Sequence, residues 1–239
     1  MAALELEGIQ VPLYAPLDYL HYFIVGPSGS GKSSLELYLI YRLLKAAHEE
    51  NLSVEFYVAD GKASHEFWGI TETEKYAEFE GCYDLVKQFY EQMMITDEGG
   101  DGTIHLLIFD EVAAILAHFG QGSKEDKRKA EEIRMCLSVI SMLGRSKKYY
   151  INIVLQRYSA TIFPASSGAG DNFFAIGLGR LTVDGRRGLF AGEHLENEEK
   201  LHFGQGRGLA LINGELKGIC VPKIDKRRLL EKIGEELRR

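Results

Sequence analysis

What the sequence has little of narrows the possibilities first. Cysteine is scarce: Cys82, Cys136 and Cys220 are an odd number, widely spaced, with no Cys-x-x-Cys. That excludes a disulfide framework and a zinc knuckle and fits a reducing cytoplasm. The seven histidines show no zinc-type spacing, so no metal site of the protein's own is expected. No apolar run reaches the ~18 residues a membrane span needs, and the opening MAALELEGIQVPL lacks both a basic flank and a long apolar stretch. The expectation is a cytoplasmic protein with no transmembrane segment, brought to a membrane only by partners. Positive charge is in deficit, with 28 Lys and Arg against 35 Asp and Glu for a net charge of -7. A surface coated for nonspecific polyanion binding is disfavoured, although a local basic lining is compatible with that balance. Internal repeats and low-complexity linkers are absent.

What is present suits one sizeable core: 239 residues, 45% hydrophobic and 26% charged. Apolar strand-like runs at Tyr22 to Val25, Val54 to Ala59, Ile104 to Phe109 and Ile151 to Leu155 each end in a glycine or a polar residue, and Phe173 to Leu178 adds a fifth. Continuous apolar runs of this length mark a parallel sheet covered on both faces. Helical spacing occupies Ser33 to Ala47, Tyr83 to Met94 and Lys124 to Leu143. Alternation of the two predicts a doubly wound α/β domain over residues 1–225. Short strands in GLALIN and GICVPKI around Asn213 and Gly214 predict a C-terminal edge hairpin. Residues 226–239 form a charged amphipathic helix, expected to be solvated rather than docked.

The chemistry concentrates in three places. Gly26, Pro27, Ser28, Gly29, Ser30, Gly31, Lys32 and Ser33, followed by Ser34, complete the pattern G-x-x-x-x-G-K-[ST] between a strand and a helix. Glycines let backbone N–H groups wrap phosphates, and the helix start adds partial positive charge. Lys32 is assigned to the β- and γ-phosphates of ATP, and Ser33 to Mg²⁺. HLLIFDE then delivers Asp110, the second metal-side ligand, and Glu111, able to polarise an attacking water. Gln156 ends a strand expected between these two, where its amide could contact the γ-phosphate and that water; capping a buried strand is the alternative. Arg145, at a helix end, suits either an arginine acting on a neighbouring protomer's nucleotide or a simple helix-dipole partner.

Taken in order, the glycine loop, VADGK, LLIFDE, GRSKKYYINIVLQR, VDGRRGL and GQGRG resemble the FtsK/SpoIIIE motor domain of the FtsK–HerA class of P-loop ATPases. The likeness spans about residues 20–225. It departs at Gly61, which stands where that family has proline in Asp-Pro-Lys, and at Asp184-Gly185-Arg186, which stands for Asp-Ser-Arg. The resemblance implies a RecA-like fold, ATP and Mg²⁺ as ligands, a homo-oligomer, commonly a hexameric ring, and DNA as the moved substrate. It further implies Arg145 as the trans-acting arginine, Arg186 as a second candidate, Gln156 as sensor, and Lys124, Lys127, Arg128 and Lys129 as candidate DNA contacts. For that last run a solvated helix start is the alternative, since Glu125 and Asp126 dilute its charge.

Membrane spans and a DNA-reading module, carried by larger members, have no counterpart in the sequence. The expectation is a minimal motor core moving DNA for a mobile element such as a conjugative plasmid or transposon, with a relaxase or membrane-anchored secretion components as partners. A phage or viral genome-packaging ATPase is the close alternative. A nucleotide switch that recruits partners without translocation is the other. No segment resembles the Leu-Ser-Gly-Gly-Gln signature of ABC transporter ATPases.

Overall fold

The computed structural model describes residues 21–164, 167–195, 203–212, 214–223 and 225–238, together with the backbone of 3–6 and 9–12. Ten strands form one sheet: β1 (Ala3–Leu6), β2 (Ile9–Pro12), β3 (Tyr22–Val25), β4 (Ser53–Asp60), β5 (Tyr76–Glu78), β6 (Thr103–Asp110), β7 (Tyr149–Leu155), β8 (Phe174–Leu178), β9 (Arg207–Ile212) and β10 (Glu215–Cys220). Their order is β2-β1-β10-β9-β8-β3-β7-β6-β4-β5. From β8 to β5 the pairing is parallel, and from β8 outward through β9, β10, β1 and β2 it is antiparallel. This is the RecA-like arrangement expected, with β7 between β3 and β6.

Side-chain alternation explains why these strands read as unbroken apolar runs. On one face, Phe23, Val25, Tyr57, Ala59, Leu107, Phe109, Ile151 and Ile153 pack under α2 (Cys82–Ile95), α3 (Val112–Gln121) and α4 (Lys124–Leu143). On the other, Phe56, Val58, Leu106 and Ile108 meet α1 (Lys32–Glu49), while Tyr22, Ile24, Val154 and Ile176 meet Leu35 and Leu39 of the same helix. A strand buried on both sides has no polar position to spare, and period-2 patterning disappears.

Two sequence expectations are revised. The C-terminal hairpin forms as β9 and β10, but β10 pairs onward with β1, with Glu5 opposite Cys220, so the rim of the sheet is β2. Asn213, at its turn, lies outside the described residues. The terminal helix α6 (Lys226–Glu236) is docked, not solvated. Leu229 and Ile233, four apart on one face, are 5% and 1% exposed in the cluster around α1, and His48 Nδ1 lies 3.0 Å from Glu236 Oε2. At the start of α6 the side chain of Asp225 accepts from the N–H groups of Arg227 and Arg228.

Helix α3 follows directly after Glu111, and α5 (Val183–Leu189) is entered by Thr182, whose hydroxyl accepts from the Gly185 N–H at 3.2 Å. In the segment from Phe163 to Asn172, Ala165 and Ser166 lie outside the described residues. The flanks pack inward: Phe163 and Ala169 are buried, and Ser141 donates to the Ala169 carbonyl.

Candidate nucleotide site

Parallel strands carry their carboxyl ends to one edge, and the backbone there is laced from strand to strand. Gly26 N–H donates to Leu155 O at 3.0 Å, Glu111 N–H to Val154 O at 2.8 Å, and Gly61 N–H to Asp110 O at 2.8 Å. Residues that follow β3, β7, β6 and β4 are thereby held side by side. The edge is where open α/β sheets place ligands.

The loop after β3 is shaped by glycine where shape is required. A Cβ on Gly26 would stand 2.3 Å from the Leu178 carbonyl oxygen, and Gly31 has φ +100°. Gly31 caps α1 without any side-chain acceptor, and no acidic residue occupies the first turn. The leading N–H groups of that helix therefore present an anion-binding end. Lys32 Nζ arches over the loop to the carbonyls of Gly26 at 2.7 Å and Pro27 at 3.0 Å. Burial, then the nearby Lys62, holds its pKa below the usual lysine range. From the other side Gly206 N–H donates to Ser30 O at 2.8 Å, bringing the GQGRG segment onto the loop.

Asp110, 4% exposed, ends β6 directly opposite Asp60 at the end of β4. Burial raises its carboxyl to about 6 despite the compensating charge of Lys62. Glu111 takes the left-handed conformation, φ 60° and ψ 48°, at the start of α3, which turns its side chain back along the edge. Its Oε2 accepts the Gln156 N–H at 3.1 Å. Sequence-assigned Lys32, Asp110, Glu111 and Gln156 thus converge, although Gln156 reaches Glu111 through its main chain while its side chain is exposed.

Two residues at this edge were missed as site residues. Lys62 Nζ donates to Asp110 Oδ1 at 3.2 Å and Oδ2 at 3.3 Å and stands 3.3 Å from Glu111 Oε2. Glu66 pairs with Lys226 of α6 at 3.2 Å, and against its burial the nearby Ser33 and Lys226 hold its carboxyl below the usual range. The run VADGK had marked Lys62 only as part of a resemblance; for Glu66 no local signal exists. Ser33 and Asp110 offer hard oxygen donors of the kind Mg²⁺ prefers, and the P-loop beside them supplies phosphate ligation, so the residues fit a Mg²⁺-nucleotide. No group of three His, Cys, Asp or Glu among the described residues could hold a metal by itself.

The remaining assigned residues lie elsewhere. Arg145 is exposed in a short 3-10 turn (Gly144–Lys147) preceding β7, at the opposite edge of the sheet. The seven residues of β7 separate it from Gln156 by about 20 Å. Within one chain it cannot reach the phosphate loop. Arg186 lies in α5 beyond the carboxyl end of β8 and donates to Glu193 O at 3.1 Å. In the proposed DNA-contact run, Arg128 is committed to Glu125 and, at 2.6 Å, to Glu132. Lys129 Nζ stands 5.5 Å from the Tyr83 and Phe119 ring centroids. Lys124 and Lys127 are exposed.

No protein-family model matches the chain, and no curated protein matches it in sequence. Its fold is similar to several solved structures. The pCW3 conjugation coupling protein TcpA, in its monomer form with ATPγS, superposes with a TM-score of 0.70 at 17% identity, covering 100% of this chain and 71% of that one. The cytoplasmic domain of the type VII secretion ATPase EccC from Thermomonospora curvata gives 0.62 at 17% identity, over 91% of this chain and 28% of that one. The genome packaging NTPase B204 from Sulfolobus turreted icosahedral virus 2, with ATPγS, gives 0.50 at 16% identity, over 86% and 98%. This chain spans little more than a quarter of the EccC structure. The likeness is one of fold, shared with these three solved structures.

Proposed function

We propose that the chain hydrolyses ATP and uses the energy to move DNA, as the motor core of a conjugative or similar mobile-element transfer system. The observation that carries it is the convergence of the phosphate loop, Asp110, Glu111 and Gln156 on one laced sheet edge. Support for DNA as the cargo comes from the fold neighbours whose names specify conjugation coupling and genome packaging. The second of these supports packaging as the alternative role. Among the described residues no helix is long and apolar enough to cross a membrane.

In this reading, main-chain N–H groups of residues 26–33 bind the phosphates, and Lys32 leaves the Gly26 and Pro27 carbonyls to hold the β- and γ-phosphates. Ser33 and Asp110 hold Mg²⁺, which when bound neutralises charge developing on the phosphates. Glu111, its backbone fixed by the bond to Val154 and its carboxylate by Gln156 N–H, orients the attacking water and polarises it toward the γ-phosphorus. Arg145 is assigned to the nucleotide of a neighbouring copy, and Lys124 and Lys127 are the DNA contacts left exposed by the pairing of Arg128. A hexameric ring satisfies both assignments.

The test is steady-state ATP hydrolysis with and without duplex and single-stranded DNA. Wild type should accelerate on DNA. Glu111→Gln should lose about 100-fold or more in rate, in the range typical of a lost general base, while still binding nucleotide. Hydrolysis that ignores both kinds of DNA would return the reading to a nucleotide switch.

A further inference from the structure

Lys62 holds the two carboxylates that the proposed reaction needs, and its position is built rather than incidental. The Asp60 carboxylate accepts from Lys62 N–H at 3.2 Å, His65 N–H at 2.8 Å and Tyr76 OH at 2.9 Å, with Ser64 Oγ at 3.3 Å from Oδ2. These bonds anchor the main chain from 62 to 65. On the other side Gly61 N–H is tied to Asp110 O, and a Cβ at 61 would stand 2.8 Å from the carbonyl oxygens of both Asp110 and Glu111. The root of Lys62 is therefore fixed against the ends of β4 and β6. Only its flexible four-carbon stem is free to redirect the ammonium.

That ammonium has two destinations within reach. One is the pair Asp110 and Glu111, at 3.2 and 3.3 Å. The other is the phosphate end of the site, since the bonds from Gly61 N–H to Asp110 O, Glu111 N–H to Val154 O and Gly26 N–H to Leu155 O set Lys62 on the same sheet edge as the phosphate loop. The arrangement as it stands is not one in which Glu111 can serve a water well. Its Oε2 already takes Gln156 N–H and faces Lys62 Nζ, so the oxygen is engaged on two sides. Lys62 likewise occupies both Asp110 oxygens, where a metal would compete with it.

We propose that Lys62 reads the terminal phosphate: it ties Asp110 and Glu111 together until a triphosphate draws its ammonium away, a draw a diphosphate lacks. The movement releases both carboxylates at the moment they are required, which makes Lys62 a positioning residue for hydrolysis and a discriminator of ATP from ADP. The inference rests on the reading of the phosphate loop as a nucleotide site.

The experiment titrates the full chain, in Mg²⁺, with fluorescently tagged ADP and a tagged non-hydrolysed triphosphate analogue. Lys62→Met and Lys62→Gln are compared with wild type, each checked for folding by thermal melting, so that one variant serves if the other does not fold. Removing a charge-assisted contact to the terminal phosphate should weaken the triphosphate analogue about tenfold or more and leave the diphosphate within about twofold. Equal weakening of both, weakening of neither, or loss confined to the diphosphate overturns the proposal. Wild type that binds neither nucleotide removes the underlying nucleotide reading as well, which separates that failure from one belonging to Lys62 alone.

Discussion

Glu36 is the residue whose environment conflicts most with its charge. It is wholly buried between α1 and β7, with Asn152 Nδ2 donating to Oε1 at 2.7 Å and Oε2 left unpartnered among the described residues. Burial, opposed by the Asn152 bond and reinforced by Asp110, lifts its carboxyl from 4.5 to about 7. A carboxyl that binds its proton more tightly when folded than when unfolded stabilises below its ordinary range and loses that advantage as pH rises toward the folded value. Glu36→Gln keeps the acceptor for Asn152 and removes the titration. Relative to wild type, the variant should gain on the order of 2 to 3 kcal/mol between pH 4 and pH 8, read from urea unfolding at both. His21, lowered to about 4 chiefly by burial, acts in the opposite sense but is common to both proteins and cancels in the difference. Gly61 belongs to the same scale. A proline there, as in the resembling family, has no N–H for Asp110 O, so the departure from the family pattern coincides with a bond only a non-proline residue can make.

At the scale of elements, α6 carries the sharpest revision. A sequence rich in Lys, Arg and Glu reads as a solvated helix because charge dominates its composition, yet two positions four apart suffice to dock it on α1. Leu229→Ala or Ile233→Ala should each cost about 2 to 4 kcal/mol in thermal or urea unfolding, the usual range for truncating a buried aliphatic side chain. Lys232→Ala, which removes a half-buried side chain whose ammonium stands 5.7 Å from the Tyr41 ring centroid, should cost under about 1 kcal/mol. The helix α4 shows the reverse case. Its first turns look basic in sequence, but ion pairs and aromatic rings take up Arg128 and Lys129, and Ser123 and Asp126 form a reciprocal cap.

For the whole molecule the decisive fact is that Arg145 and the phosphate loop occupy opposite edges of one sheet. An arginine that completes the reaction from there must belong to another copy. Lys32→Ala abolishes the site of its own chain but leaves Arg145 to offer, and Arg145→Ala keeps the site but offers nothing. Each variant alone should hydrolyse ATP at under about a hundredth of the wild-type rate, in keeping with the worth of a trans-acting arginine. Mixed in equal amounts they should recover a measurable part of that rate, rising with total protein concentration. A mixture no more active than its components would remove Arg145 from the reaction.

The placement of the candidate site residues was legible because it is written locally. A glycine loop between strand and helix, an apolar strand ending in Asp110 and Glu111, and another ending at Gln156 each carry their geometry in a dozen residues, and parallel pairing then brings all three to one edge. Helices α1, α2 and α4 were likewise evident from period alone. What only the tertiary structure decided is whatever depends on registers between distant strands. β4 lies against β6 with Asp60 opposite Asp110, which sets Lys62 on both carboxylates. The loop after β4 folds over α1 so that Glu66 meets Ser33, and β1 joins β10 across most of the chain's length. Such contacts arise from packing a whole sheet, and no window of sequence contains both of their ends.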